Sequence, residues 1–327
     1  MTNPKPWAAG VLTSVGTCRP PKPEPVKIQL LPREPQRPTA PRSIPTVFDR
    51  ALIAGHLARR PADVDDFITR LALADLEERL LAVNRRFERA LILSPDGQHL
   101  PDRGASAQGP FAFAHAATIR ADGAVPLVDP EDLALPHSDY DLIVSIFDLQ
   151  VVNDVVGFLA RLRAHLRPDG LLLAALPGGA TLTELRQAFL EAETALTGGA
   201  TARVAPFIQL GDVGGLVQRA GLKLPVTDVE SHVVRYDSML DLALELKRLG
   251  ASNPLADRPA RPMTRGLLAA AAANYAEHAT DPDGRLRATL EIVWLSGWAA
   301  HESQQQPLRP GTARVNLRDV LGDKSQH

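Results

Sequence analysis

DYDLIVSIFDLQVVND at 139–154, VVGFLARLRAHLRPDG at 155–170 and LLLAALPGG at 171–179 read in succession as strand, helix and strand. The core of the first run, LIVSI at 142–146, has the length and near-continuous apolar character of a strand covered on both faces. Asn153 and Asp154 stand where a helix needs a side-chain acceptor for its first free amides, and Pro168, Asp169 and Gly170 supply turn chemistry before the next strand. The stretch therefore predicts one βαβ unit of a parallel sheet.

Working outward, short apolar runs recur at 90–93, 111–114, 125–128, 142–146 and 171–176, separated by helical or loop segments. Such alternation predicts an α/β fold with a mostly parallel sheet covered by helices on both faces. Two added helices precede the first strand, with Phe67, Leu71, Leu76 and Leu80 at helical spacing, Asp63 as the expected N-cap, and Arg85, Arg86 and Arg89 in the expected last turn. Downstream, helices are expected at 181–196, 212–220 with Gly221 as the terminator, 239–249 and 264–278. The β-branched and aromatic segments 226–236 and 287–298 predict an antiparallel edge hairpin split by the last two helices.

Composition narrows the function classes. With 327 residues, 45% of them hydrophobic, the chain can bury a sizeable core. A formal net charge of -2 gives no broad basic surface, so nucleic acid is not an expected partner. The single cysteine, Cys18, permits neither an internal disulfide nor a cysteine-based zinc cluster. No segment reads as a transmembrane span or secretory signal, and the expected location is cytoplasmic, or peripheral to the inner membrane through a partner. Residues 1–45 hold eleven of the 28 prolines interleaved with Lys and Arg, and are expected to form a disordered leader. The remainder, 46–322, is expected to be one domain: N-terminal helices at 46–89, a nucleotide-binding-type core at 90–177, and a half carrying substrate or partner elements at 178–322.

The motifs VFDR at 47–50, YDLIVS at 140–145, VVND at 151–154, LRPDG at 166–170, GGATLTELRQAF at 178–189, APF at 205–207, LVQRAGL at 216–222 and WLSGWAAHESQQQPLRPGTA at 294–313 span nearly all of 46–321. Together they resemble the methyltransferase-fold assembly factors of respiratory complex I, a family whose mitochondrial member is an arginine hydroxylase. More distantly, they resemble the malonyl-carrier-protein methyltransferases of biotin synthesis. LRPDG marks only the wider superfamily, whereas GGATLTELR with a terminal GW..HESQ is narrow. The resemblance implies a Rossmann-like class I methyltransferase fold, S-adenosylmethionine as cofactor, and a protein substrate or client such as a complex I subunit.

Tested residue by residue, the implied cofactor site is incomplete. Methyltransferases of this class follow their first strand with a glycine-rich turn that lets the backbone approach the cofactor. Here Ser94, Pro95, Asp96 and Gly97 stand there, with one glycine and a proline that removes an amide donor. The carboxylate that should take the ribose hydroxyls is missing, because the second strand runs into His115 and Ala116. Asp129, after the third strand, holds the position that would meet an adenine amine, and Asp148, with Gln150, follows the fourth strand and is expected to face the pocket. The candidate cofactor residues are thus Ser94, Asp96, Gly97, Asp129 and Asp148; the first three are also readable as a strand-end turn and Asp129 as a solvated loop acid.

Substrate or partner contacts are expected from Gly178, Gly179, Glu184 and Arg186, on the carboxyl edge where ligands bind in open α/β folds, and from Trp298, His301 and Glu302 of the terminal motif. Thr181 with Glu184 also forms a capping-box pattern, which accounts for the same residues structurally. No catalytic base is assigned, no metal site is expected, and no His, His, carboxylate facial set for hydroxylation is readable from the spacing. Two functions remain: an enzyme modifying a protein side chain, or a noncatalytic complex I assembly chaperone whose cofactor site has decayed.

Overall fold

The computed structural model describes residues 44–121, 123, 125–260 and 262–305. The leader at 1–43 and the tail from 306 onward lie outside the described residues, and with them the expectation for the proline-rich segment. In chain order the elements are α1 (Arg50–Leu57), α2 (Phe67–Leu81), β1 (Ala90–Ser94), β2 (Arg103–Ser106), β3 (Gly109–Ala117), β4 (Tyr140–Ile146), a single 3-10 turn (Leu149–Val151), α3 (Val155–Ala164) and β5 (Leu166–Pro177). They continue with α4 (Thr183–Thr197), α5 (Leu210–Arg219), β6 (Lys223–Tyr236), α6 (Met239–Arg248), α7 (Arg265–Ala279) and β7 (Leu286–Trp298).

The strands form one sheet in the order β2-β3-β1-β4-β5-β7-β6. Strands β3, β1, β4 and β5 are mutually parallel, while β2, β7 and β6 pair antiparallel with their neighbours. Alternation along the central strands fills two cores. Leu91, Leu93, Ile143 and Leu172 face Phe158, Leu162, Val213 and Val217 of α3 and α5. Ala90, Ile92, Leu142 and Val144 face Ala72, Leu76 and Leu80 of α2. Each such leucine or isoleucine contributes about 1.5–3 kcal/mol on full burial, so a sheet sandwiched in this way sustains itself without disulfides. A third cluster joins α4, α6 and α7 to the start of β7 through Leu185, Leu242, Tyr275 and Ala288.

The expected late hairpin is present, with β6 at the edge and β7 inserted between β6 and β5. Several local expectations are corrected. The N-cap of α2 is Asp66, which accepts from the Thr69 amide at 3.0 Å, because it and not the exposed Asp63 directly precedes the first helical residue. Since α2 ends at Leu81, the three arginines lie beyond its last turn; Arg85 pairs with Asp169 and Arg89 with Asp139. The turn at 168–170 is a bulge inside β5, with Asp169 at φ +64 and a register shift against β4. The strand expected at 125–128 is reduced to a bridge, in which the Ala117 amide donates to the Pro126 carbonyl and the Val128 amide to the Ala117 carbonyl. Pro126 has no amide to extend that ladder.

Candidate functional site

The four parallel strands all end at one edge of the sheet, at Ser94, Ala117, Ile146 and Pro177. Beyond β1 the chain turns sharply through Pro95, Asp96 and Gly97. Gly97 adopts φ +67, and a Cβ there would come within 3.0 Å of Val125 Cγ1, so glycine is required for the turn itself. Its amide donates to Ser94 Oγ at 2.9 Å. The Pro95 carbonyl accepts from the amides of Ile119 and Arg120, each at 2.9 Å, which draws this loop against the end of β3.

β3 continues through His115 and Ala116 to Ala117, so the residue at its end is Thr118, fully buried. The acid absent from 115 and 116 is absent here too. Thr118 donates instead to Asp148 Oδ1 at 2.5 Å, and Ser145 Oγ donates to Asp148 Oδ2 at 2.7 Å. Asp148 therefore does not face the pocket as expected. It is fully enclosed between the ends of β3 and β4, because two hydroxyls pull its carboxyl inward. Burial pushes this carboxyl up to about 7; the two hydroxyls oppose the shift and the charge of Asp96 adds to it.

Two arginines from the N-terminal helical segment reach this edge, and sequence reasoning missed both. Arg60 places Nη1 2.8 Å from Asp96 Oδ2 and Nη2 2.8 Å from Asp66 Oδ2, in a nearly buried triad. Arg50 donates from Nη1 to Asp129 Oδ1 at 2.7 Å and from Nη2 to the Thr118 carbonyl at 2.6 Å. The Arg50 contact, with the Glu131 amide, holds the Asp129 carboxyl below the usual carboxylate range. Arg50 lies in the VFDR motif, the one sequence signal that could have marked it.

Above the edge lies a cavity of about 460 Å³ with mainly apolar walls, among them Ile53, Phe147, Leu182, Phe189, Met239 and Leu268. Its floor includes Ser94, Asp96 and Gln150, and Gln150 Oε1 is buried there without a hydrogen-bond partner. Arg203 enters the opposite wall, ion-paired to Glu193 at 2.6 Å.

The GGATLTELR segment closes this cavity by packing. A Cβ on Gly178 would meet Glu291 Oε2 at 2.7 Å, and one on Gly179 would meet Gln209 Nε2 at 2.2 Å, so both glycines are close backbone approaches. The capping box does not form. α4 starts at Thr183, and Thr181 Oγ1 instead exchanges two hydrogen bonds with the Glu291 backbone, at 3.0 and 3.1 Å. Glu184 accepts from the Thr289 amide at 3.1 Å, and Arg186 donates to the Thr181 carbonyl at 3.1 Å. Trp298, His301 and Glu302 are not brought to this edge. Trp298 pairs with Leu171 at the start of the central run of β5, near the opposite edge, where Arg85 stacks on its ring at 5.4 Å. Among the described residues His301 bonds within its own turn, to Ser303. Among the described residues no group of three or more His, Cys, Asp or Glu is arranged to hold a metal ion.

No carboxylate stands at the end of β3, and two of the acids near the crevice, Asp96 and Asp129, are bonded to Arg60 and Arg50.

A parallel core extended by the antiparallel β7 and edge β6, with its open crevice at the carboxyl ends, defines a methyltransferase-like protein of class I. The sequence is 33% identical over 296 residues to the mitochondrial arginine-hydroxylase NDUFAF5 of Rattus norvegicus, covering 86% of this chain and 85% of that protein. It is 37% identical over 194 residues to the Homo sapiens protein of the same name, covering 59% of this chain and 56% of that protein. A malonyl-[acyl-carrier protein] O-methyltransferase of Laribacter hongkongensis is 38% identical over 201 residues, covering 61% of this chain and 62% of that protein. No protein-family model matches the chain. The chain belongs to the arginine-hydroxylase NDUFAF5 family.

Proposed function

We propose that this chain serves the assembly of respiratory complex I by receiving a side chain or short segment of a protein client in the cavity above the carboxyl edge. The observation that carries this reading is the cavity: about 460 Å³, walled mainly by apolar side chains from α1, α4 and α6 and floored by strand ends. The form best supported is binding without methyl transfer, because Arg50 and Arg60 take up the carboxylates a cofactor would need. A second reading, modification of the client side chain with S-adenosylmethionine, is favoured by Ser94 and Asp96, which still line the floor of the cavity.

A photo-crosslinking amino acid at Ala243, on the cavity wall, tests the reading in cells that make complex I. Crosslinks to one or a few complex I subunits are expected. Crosslinks spread without preference over unrelated proteins would remove it. A mass shift on the captured subunit that requires S-adenosylmethionine would move the conclusion to the second form.

A further inference from the structure

Arg50 makes two contacts at once that no local need of its helix explains. Its guanidinium bridges the carbonyl of Thr118, at the end of β3, and the carboxylate of Asp129, after the adjoining bridge strand, at 2.6 and 2.7 Å. These two strand ends border the carboxyl-edge crevice in which doubly wound α/β sheets bind nucleotide ligands. Arg50 Nε is buried without a partner, so the side chain holds this bridge although one of its own donors is left unmet.

The helix that carries Arg50 is fastened from outside the sheet. Asp49 caps it, accepting from the Leu52 amide at 2.9 Å, and the amides of Val47 and Phe48 both donate to Asn153 Oδ1 at 2.8 Å. Residues 47–49 also pair with 254–256, the Asp49 amide donating to the Pro254 carbonyl and the Ala256 amide to the Val47 carbonyl. Arg50 and Asp129 keep 27% and 56% of their side-chain surface, so their ion pair is the weak, salt-screened kind and not a permanent seal.

We infer that Arg50 closes this side of the crevice from within, so that the chain admits a nucleoside-bearing ligand there only when the Arg50 bridge opens. Neither Arg50 nor Asp129 lines the apolar cavity, and the inference stands apart from the client reading. A closed majority state lowers apparent affinity by the fraction of molecules that are open, so removing the latch raises it.

Titration of S-adenosylhomocysteine, with adenosine as a second probe, into the full chain and its Arg50→Ala variant decides the matter. The expected result is weaker binding by the wild-type chain and a gain of about two- to fivefold in affinity for the variant, with faster hydrogen exchange in 50–57. Should Arg50→Ala not fold, Arg50→Lys, which cannot bridge both groups, is expected to show the same direction of change. Wild-type binding as tight as that of the variant, or a folded variant that gains nothing, would overturn the inference.

Discussion

Asp148 ties the stability of this site to pH through one enclosed carboxyl. Its carboxyl is fully enclosed and meets only the hydroxyls of Thr118 and Ser145, and burial raises its pKa from 3.8 to about 7. A carboxyl raised in the folded state binds its proton more tightly there than in the unfolded chain. Its stabilising contribution is complete below about pH 4, falls through the window from about 4 to 7, and stays lost above it. Thermal midpoints are therefore expected to fall between about pH 4 and 7 in the wild-type chain, and Asp148→Asn, which stays neutral, should flatten that slope and add roughly 1–4 kcal/mol at the higher pH. A wild-type slope that persists unchanged in the variant would assign it to other groups. Arg60 behaves in the opposite sense. Arg60→Met strands Asp66 and Asp96, both nearly buried, and should destabilise by about 3–5 kcal/mol in urea unfolding. A loss well under about 1 kcal/mol would mean that water reaches the two acids.

Among the elements, the loop from β5 into α4 reads as a ligand loop in sequence and as a packed corner in the structure. Gly178 lies against Glu291 and Val293 of β7, and Gly178→Ala would force its new methyl to within 2.8 Å of the valine Cγ2. A loss of about 1–3 kcal/mol is expected from that overlap, measured as a shift in urea midpoint; an unshifted midpoint would show that the corner can yield. Strands β1, β4, β5, β6 and β7 were legible because dense apolar or β-branched runs announce them. β2 was not, since Arg103, Gly104, Ala105 and Ser106 carry almost no apolar signal and are held as a strand by antiparallel pairing with β3. That hidden hairpin belongs to a longer β3, which moved the strand end from the expected 115 and 116 to Thr118. The partners of the retained acids were hidden for another reason: Arg50 and Asp129 are 79 residues apart, and Arg60 and Asp96 are 36 apart, so only tertiary packing brings them together.

For the whole molecule, the question is whether the cavity is a binding site or a packing defect between the sheet and its helical cap. Large voids in a cap cost stability, and a protein without use for one would gain by filling it. Ala243, part-buried on α6 with Leu242 turned to the core beside it, offers a place to do this. Ala243→Trp would add an aromatic ring to the cavity without removing the Arg60 contacts in its lining. If the space serves a client, the variant should keep or slightly raise its thermal midpoint while capture of complex I subunits falls by at least about tenfold, a change of about 1.4 kcal/mol in binding. If the space is only unfilled packing, the midpoint rises and capture is unchanged. Stability and capture thus move separately, because the walls that would hold a client come from α4 and α6, whereas the sheet's two main cores are built from other residues.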